Sequence, residues 1–230
     1  MTQPFSGKIG RLVASLEEAR HHHSGPCLLS PMTARLPASL ADLCSSLPIG
    51  DANGELLEAL RNSPPLPEQT YAGVLANDPF RLADDLLEML TRLGCRRVAN
   101  WPSTALLSGE LAEALTHSGL GYREEMAFLT QARKHGFETL AIVSQTAQMP
   151  LALAARPSQL MIAAGLSATT EASRVEEQKV LLALAKGIEA EGKAVWCYEH
   201  DGVAEITAAL HPVAEVVICH PQVGARYNKP

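Results

Sequence analysis

Four carboxylates in this chain stand where a short apolar run gives way to the next segment: Asp51, Asp78, Glu199 and Asp201. Carboxylate oxygens gathered in this way can hold one hard divalent cation and its waters, the oxygen-rich arrangement that Mg2+ prefers. Two of the four have a competing use, since Asp78 and Asp201 each precede a helical pattern and suit N-caps. Asn53 can cap the helix that follows Asp51, which leaves the Asp51 carboxylate free. Asp51 and Glu199 are therefore the candidate metal ligands. Glu199-His200 also offers a general acid–base pair, although strand neighbours point to opposite sides and would not reach one substrate together. His220 ends a later apolar run, and Asn77, Asn100 and Ser103 supply neutral hydrogen-bonding groups at equivalent points.

These side chains meet only if the runs that carry them form one layer. The candidate strands are residues 27–30, 46–49, 71–76, 97–101, 139–144, 159–164, 194–198 and 215–219. Several are continuous apolar runs, as strands covered by helices on a parallel sheet read. Helix punctuation lies between them. Asp78-Pro79 opens a pattern with Leu86, Leu87 and Leu90 on one face and Gly94 as its stop. Residues 108–134 read as two helices broken at Ser118-Gly119-Leu120-Gly121, and residues 171–191 as the longest helix. Eight strands alternating with helices spell an α/β fold, a (β/α)8 TIM barrel, with an open doubly wound sheet as the competing arrangement. The whole of 1–230 then forms one domain. Lys8–Arg20 is expected to be an N-terminal helix packed on the barrel within residues 1–25. Pro221–Pro230 is too short for a full closing helix, so the last helix is expected to be incomplete.

Composition removes other classes. A net charge of −6 argues against nucleic-acid partners, whose footprint is a basic patch. Aromatic residues make up 4% of the chain, too few for base-stacking platforms. The five cysteines form no CxxC pair, so buried free thiols in a reducing cytoplasm are expected rather than a zinc ribbon or redox pair. No signal-peptide pattern opens the chain and no apolar run reaches membrane-spanning length. The expectation is a cytoplasmic protein with no membrane partner. His21-His22-His23 suits a helix C-terminus better than a metal tract. GxGxxG, GxxxxGK[ST], HExxH and GxSxG are all absent, so nucleotide and serine-hydrolase chemistry have no local support.

Ordered motifs then carry a resemblance. Leu47-Pro48-Ile49-Gly50-Asp51-Ala52-Asn53, Tyr71-Ala72-Gly73-Val74, Asp78-Pro79-Phe80-Arg81, Asn100-Trp101-Pro102 and Gly119-Leu120-Gly121-Tyr122 follow one another. This series resembles the phosphoenolpyruvate hydrolase-like family of TIM barrels, also called TIM-barrel signal transduction proteins. That family looks related to the phosphoenolpyruvate mutase and isocitrate lyase superfamily. The resemblance is clear from Leu47 to Leu129. It implies metal-assisted chemistry, with Mg2+ as the cofactor, on a small phosphorylated or carboxylated acid. Asp51 would hold a metal-bound water, Asn100 would bind substrate, and Glu125 or His200 would move a proton. Arg35, Arg81 and Arg123 are the cations available for a phosphate. The later strand ends depart from the family pattern, with Ala163-Ala164-Gly165 where the family carries a histidine and Tyr198-Glu199-His200 where it has His-Gly-Gly. Those departures imply an alternative, a ligand-binding or regulatory barrel without turnover. A homo-oligomer is expected in either case.

Overall fold

The structure is a computed structural model and describes residues 5–47, 49–61, 66–166 and 170–222. Its strands are β1 (Lys8–Val13), β2 (Cys27–Leu29), β3 (Thr70–Gly73), β4 (Arg97–Ala99), β5 (Glu138–Val143), β6 (Gln159–Ile162), β7 (Val195–Glu199) and β8 (Ala214–Cys219). All pair in parallel and in sequence order, and β1 pairs with β8, so the sheet closes on itself. The helices are α1 (Leu16–His21), α2 (Pro31–Arg35), α3 (Ala38–Ser46), α4 (Ala52–Arg61), α5 (Ala83–Arg92), α6 (Gly109–His117), α7 (Tyr122–Lys134), α8 (Met149–Ala154), α9 (Glu171–Ala190) and α10 (Ala204–Thr207). This is the expected TIM barrel.

The two-residue period of each strand sorts its side chains into two apolar layers. Val13, Leu29, Val98, Val143, Ile162, Cys197 and Val217 face outward and pack on Leu56, Leu60, Leu87, Leu90, Leu129, Leu184 and Ile188 of the helices. Leu12, Leu28, Tyr71, Ala99, Trp101, Ile142, Met161, Tyr198 and Ile218 fill the barrel. One glycine matters here. A Cβ on Gly73 would lie 2.8 Å from the Trp101 carbonyl oxygen and 3.1 Å from that of Leu29. Only a bare backbone lets those chains pass so closely.

Two expectations about elements are corrected. Residues 8–13 form β1, not the start of a helix: Leu12 enters the barrel while Val13 joins the outer layer. The helical part begins only at Leu16, where the Ser15 hydroxyl accepts the Glu18 N–H and the Glu18 carboxylate accepts the Ala14 N–H. Residues 46–49 form no strand. Ser46 ends α3, with its hydroxyl bonded back to the Asp42 carbonyl, and Leu47 and Ile49 lie in a turn, while Pro48 is outside the described residues. The expected incomplete last helix falls on residues 221–230, of which Pro221 and Gln222 lie in a turn and 223–230 are outside the described residues.

The three short helices after β2 settle how the barrel is covered. From α3, Asp42 reaches His200 at the end of β7 and the Ser46 hydroxyl donates to the Ser103 carbonyl beyond β4. The Ala38 N–H, at its start, donates to Gln222 beyond β8. A helix that touches three separated strand ends lies across the C-terminal mouth.

Candidate functional site

In a TIM barrel the chemistry gathers at the C-terminal strand ends, so the position of each candidate follows from which way its strand end turns. The structure distributes them over five places. Asn100, Ser103 and Glu125 form the first. Glu125 is completely buried on α7, and its carboxylate accepts from Asn100 Nδ2 (2.6 Å), Ser103 Oγ (2.6 Å), Thr104 N (2.7 Å) and Thr104 Oγ1 (2.6 Å). Asn100 Oδ1 accepts the Ile142 N–H, extending the sheet beyond β4 with a side chain. Burial pushes the Glu125 carboxyl up, opposed by its hydroxyl and amide donors. These three expected site residues therefore hold α7 to the β4 strand end.

Asp51 defines the second place. Its Oδ1 accepts the Gly54 N–H, so Asp51 itself caps α4. Its two oxygens also meet Arg81, at 2.7 Å and 2.8 Å, while Arg81 Nη1 lies 2.9 Å from Asp78 Oδ2. The Arg81 hydrogen bond holds the Asp51 carboxyl below the usual range, against the opposing effect of burial. Asn53 is not the cap. It is fully buried, exchanges hydrogen bonds with the N–H and C=O of Leu75 (both 3.0 Å), and donates to Asp78 (2.8 Å). Asp78 accepts the Phe80 N–H in a turn, and α5 starts only at Ala83, so Asp78 caps no helix. The Gly50–Asn53 and Asp78–Arg81 motifs thus form a clasp between two βα loops. It edges a 470 Å³ surface cavity with Ile49 and Phe80.

Glu199 is third. It faces the helix layer, where Thr207 Oγ1 donates to it at 2.8 Å and His211 Nε2 lies 3.0 Å away. Its neighbour His200 faces the barrel, as strand alternation requires. Asn77 is fourth, donating to the Leu120 carbonyl in the turn before α7.

The structure does not bring Asp51 and Glu199 together as a pair. Arg81 already supplies a cation between Asp51 and Asp78, and Glu199 is committed on the other face of β7. Among the described residues no group of three His, Cys, Asp or Glu side chains is placed to hold a metal ion. In a calorimetric titration with Mg2+, Asp51→Asn is expected to superimpose on the parent. A loss of magnesium heat in that variant would return Asp51 to the cation. Asp201 also caps no helix, since α10 starts at Ala204 with Val203 before it.

The fifth place is the barrel mouth. His200 Nε2 lies 3.2 Å from Asp42 Oδ2, and both side chains are buried. The second nitrogen of His200 accepts the Gly202 N–H. His220 is buried too, with Nε2 3.4 Å from the Thr33 carbonyl and Nδ1 accepting the Gln222 N–H; burial lowers its pKa. Tyr198 lies between His200 (ring centroids 5.9 Å apart) and Trp101 (4.4 Å). Burial holds the Tyr198 phenol protonated, and the nearby Asp42 carboxylate adds to that. Tyr198 Oη faces the Asp42 carboxylate, and among the described residues two further buried polar atoms, Trp101 Nε1 and Ser144 Oγ, have no hydrogen-bond partner.

Sequence reasoning missed Asp42, Trp101, Tyr198 and Ser144 as site residues. The last three were within reach, because the two-residue period that turns His200 inward also turns Tyr198 inward. Asp42 was hidden by reading residues 46–49 as a strand, which left no helix to cover the mouth. The cations proposed for a phosphate lie elsewhere: Arg35 pairs with Glu55 at the surface, Arg81 is in the clasp, and Arg123 is exposed on α7. The five cysteines are free thiols. Burial lifts Cys27 and Cys95 to about 11, so neither is a ready nucleophile. No helix among the described residues is long and apolar enough to cross a membrane.

With the geometry established, comparison with known proteins adds lineage. The family model described as phosphoenolpyruvate hydrolase-like matches residues 35–204. The protein y4oT of Sinorhizobium fredii (strain NBRC 101917 / NGR234) is 39% identical over 142 residues, 62% of this chain and 72% of that protein. The ToMV resistance protein Tm-1 of Solanum lycopersicum is 28% identical over 185 residues, 80% of this chain. The chain spans only 23% of the tomato protein's length. Among solved structures, a phosphonomutase candidate from Burkholderia cenocepacia J2315 superposes with a TM-score of 0.53 at 12% identity, over 96% of this chain and 88% of that one. That likeness shows the barrel fold.

Proposed function

Because the chain belongs to the phosphoenolpyruvate hydrolase-like family, we propose that its barrel mouth binds a small carboxylated acid beneath α3, as a ligand-binding barrel rather than a catalyst. The buried Trp101 Nε1 and Ser144 Oγ, without partners among the described residues, together with the Tyr198 phenol carry this reading. Buried polar groups are nearly always paired, and each one left alone costs about 1–3 kcal/mol. Trp101 Nε1 can only donate, and Tyr198 stays a donor because burial keeps it protonated. Buried donors such as these suit a carboxylate. Among the described residues, the side chains that meet there bring no Lys or Arg, which favours a carboxylate over a phosphate as the group bound deepest.

Turnover has less support because the proton-moving candidates are engaged. Both nitrogens of His200 and of His220 have partners, and Glu125 accepts four donors away from the mouth. Entry of a ligand would lift α3, breaking the Asp42–His200 contact and the Ser46–Ser103 hydrogen bond.

Calorimetry with pyruvate, oxaloacetate and phosphoenolpyruvate tests the reading. At least one acid is expected to bind, and Tyr198→Phe is expected to weaken it about tenfold or more, as loss of a hydrogen bond to a charged group worth about 1.5–3 kcal/mol implies. Binding that Tyr198→Phe leaves within about twofold would move the ligand out of the mouth. Steady release of phosphate or another product, abolished by Asp42→Asn, would make the barrel an enzyme.

A further inference from the structure

The opposite end of the barrel is also concave. A cavity of 220 Å³ opens among the N-terminal strand ends, lined by Lys8, Gln69, Tyr71, Arg97, Glu138, Trp196 and Glu215. Three observations set it apart from the plain floor of a barrel, where the inward residues serve stability.

The first is its backbone. Gln69 has φ of +65°, a left-handed conformation that residues other than glycine seldom adopt. In β8 the register with β7 slips, so that Ala214 pairs with Val195 and Val216 with Trp196. Glu215 is the extra residue of that bulge, the device by which a strand re-aims a side chain. Two irregular backbones on one small cavity are what functional sites accumulate.

The second is charge. Arg97 and Glu138 pair through two hydrogen bonds, of 2.9 Å and 3.0 Å, and form a neutral wall. Lys8 and Glu215 make no ion pair among the described residues, so one free cation and one free carboxylate face the same cavity. The third is the remaining wall. Tyr71 and Trp196 meet edge to face, with centroids 5.8 Å apart at 85°, and aromatic faces of this kind attract an ammonium group.

We propose that this N-terminal mouth is a second binding site, for a free α-amino acid held as its zwitterion. The ligand's carboxylate meets Lys8, its ammonium meets Glu215 and the Tyr71–Trp196 wall, and its side chain lies along the aromatic faces. The cavity is smaller than the about 300–1,000 Å³ of drug-sized pockets and matches an amino acid. The proposal is independent of ligand binding at the C-terminal mouth.

Trp196 supplies the signal for a test, since the only other tryptophan, Trp101, is buried at the far mouth. Each of the common L-amino acids is titrated to about 10 mM while tryptophan emission is followed. At least one is expected to give a saturable change that disappears in Trp196→Phe. Lys8→Met and Glu215→Gln should each weaken that ligand about tenfold or more, while Lys8→Arg should stay within about threefold. Thermal melts of the four variants separate lost binding from lost fold, and Lys8→Arg serves if Lys8→Met does not fold. The proposal is overturned if no amino acid gives a saturable change, if the charge removals leave affinity unaltered, or if the deaminated acid binds as well as the amino acid.

Discussion

Replacing Glu125 with alanine is expected to remove about 3–5 kcal/mol of unfolding free energy, measured by urea denaturation. The substitution removes the acceptor of four donors: Thr104 N and Thr104 Oγ1 lose their partner, while Asn100 Nδ2 keeps Ser103 Oγ and Ser103 Oγ keeps the Ala105 N–H. Each buried orphan costs about 1–3 kcal/mol, and rotation of the two hydroxyls recovers part of the total. Glu125→Gln separates charge from shape. The folded carboxyl is raised by burial, so the folded state holds a proton that the unfolded chain gives up sooner. Its contribution to stability is therefore full below the ordinary value of about 4.3 and is lost as pH rises through the raised folded value. Glu125→Gln, neutral throughout, should flatten that part of the stability–pH curve. A loss below about 1 kcal/mol in the alanine variant would mean that the donors find other partners.

Asn53→Ala is the second large effect, at about 2–4 kcal/mol. Loss of the side chain leaves the buried Leu75 N–H unpaired and takes a donor from the Asp78 carboxylate, while the Leu75 C=O keeps the Asp78 N–H at 3.2 Å. Hydrogen exchange at the Leu75 amide should accelerate in parallel. Asn53→Asp should be no milder, because it discards the amide donor and sets a second carboxylate beside Asp78. An alanine variant that melts within about 2 °C of the parent would make the clasp ornamental.

The two substitutions bear on what the sequence made legible. Seven of the eight strands lie within a few residues of the apolar runs that predict them, because strands covered on both faces must be apolar throughout. β1 escaped that reading since Lys8, Gly10 and Arg11 interrupt it; the run Ser15-Leu16-Glu17-Glu18 carried the better signal, a cap that starts its helix at Leu16. The motif residues were found because their types are chemical, yet type does not tell a carboxylate that meets substrate from one that fastens loops. Asp51, Asn53, Asp78, Arg81 and Glu125 are all fasteners here, a fact that depends on contacts between residues 22 to 30 positions apart. The mouth itself was less legible, since its aromatic donors read as ordinary core and Asp42 sits on a helix with little pattern of its own.

The seam between β1 and β8 also shapes how the chain reaches this state. Lys8 pairs with Val216, whereas a neighbouring pair such as Leu140 and Gln159 is joined by a short crossover. Closing the longer loop costs about 2 kcal/mol more in chain entropy, from the logarithmic dependence on length. β1 leaves the ribosome first and must wait for β8, so the growing sheet carries two bare edges for most of synthesis. Unpaired parallel edges invite pairing with other chains. The ring that removes every edge from the finished barrel thus makes the nascent chain vulnerable to aggregation until its last strand arrives.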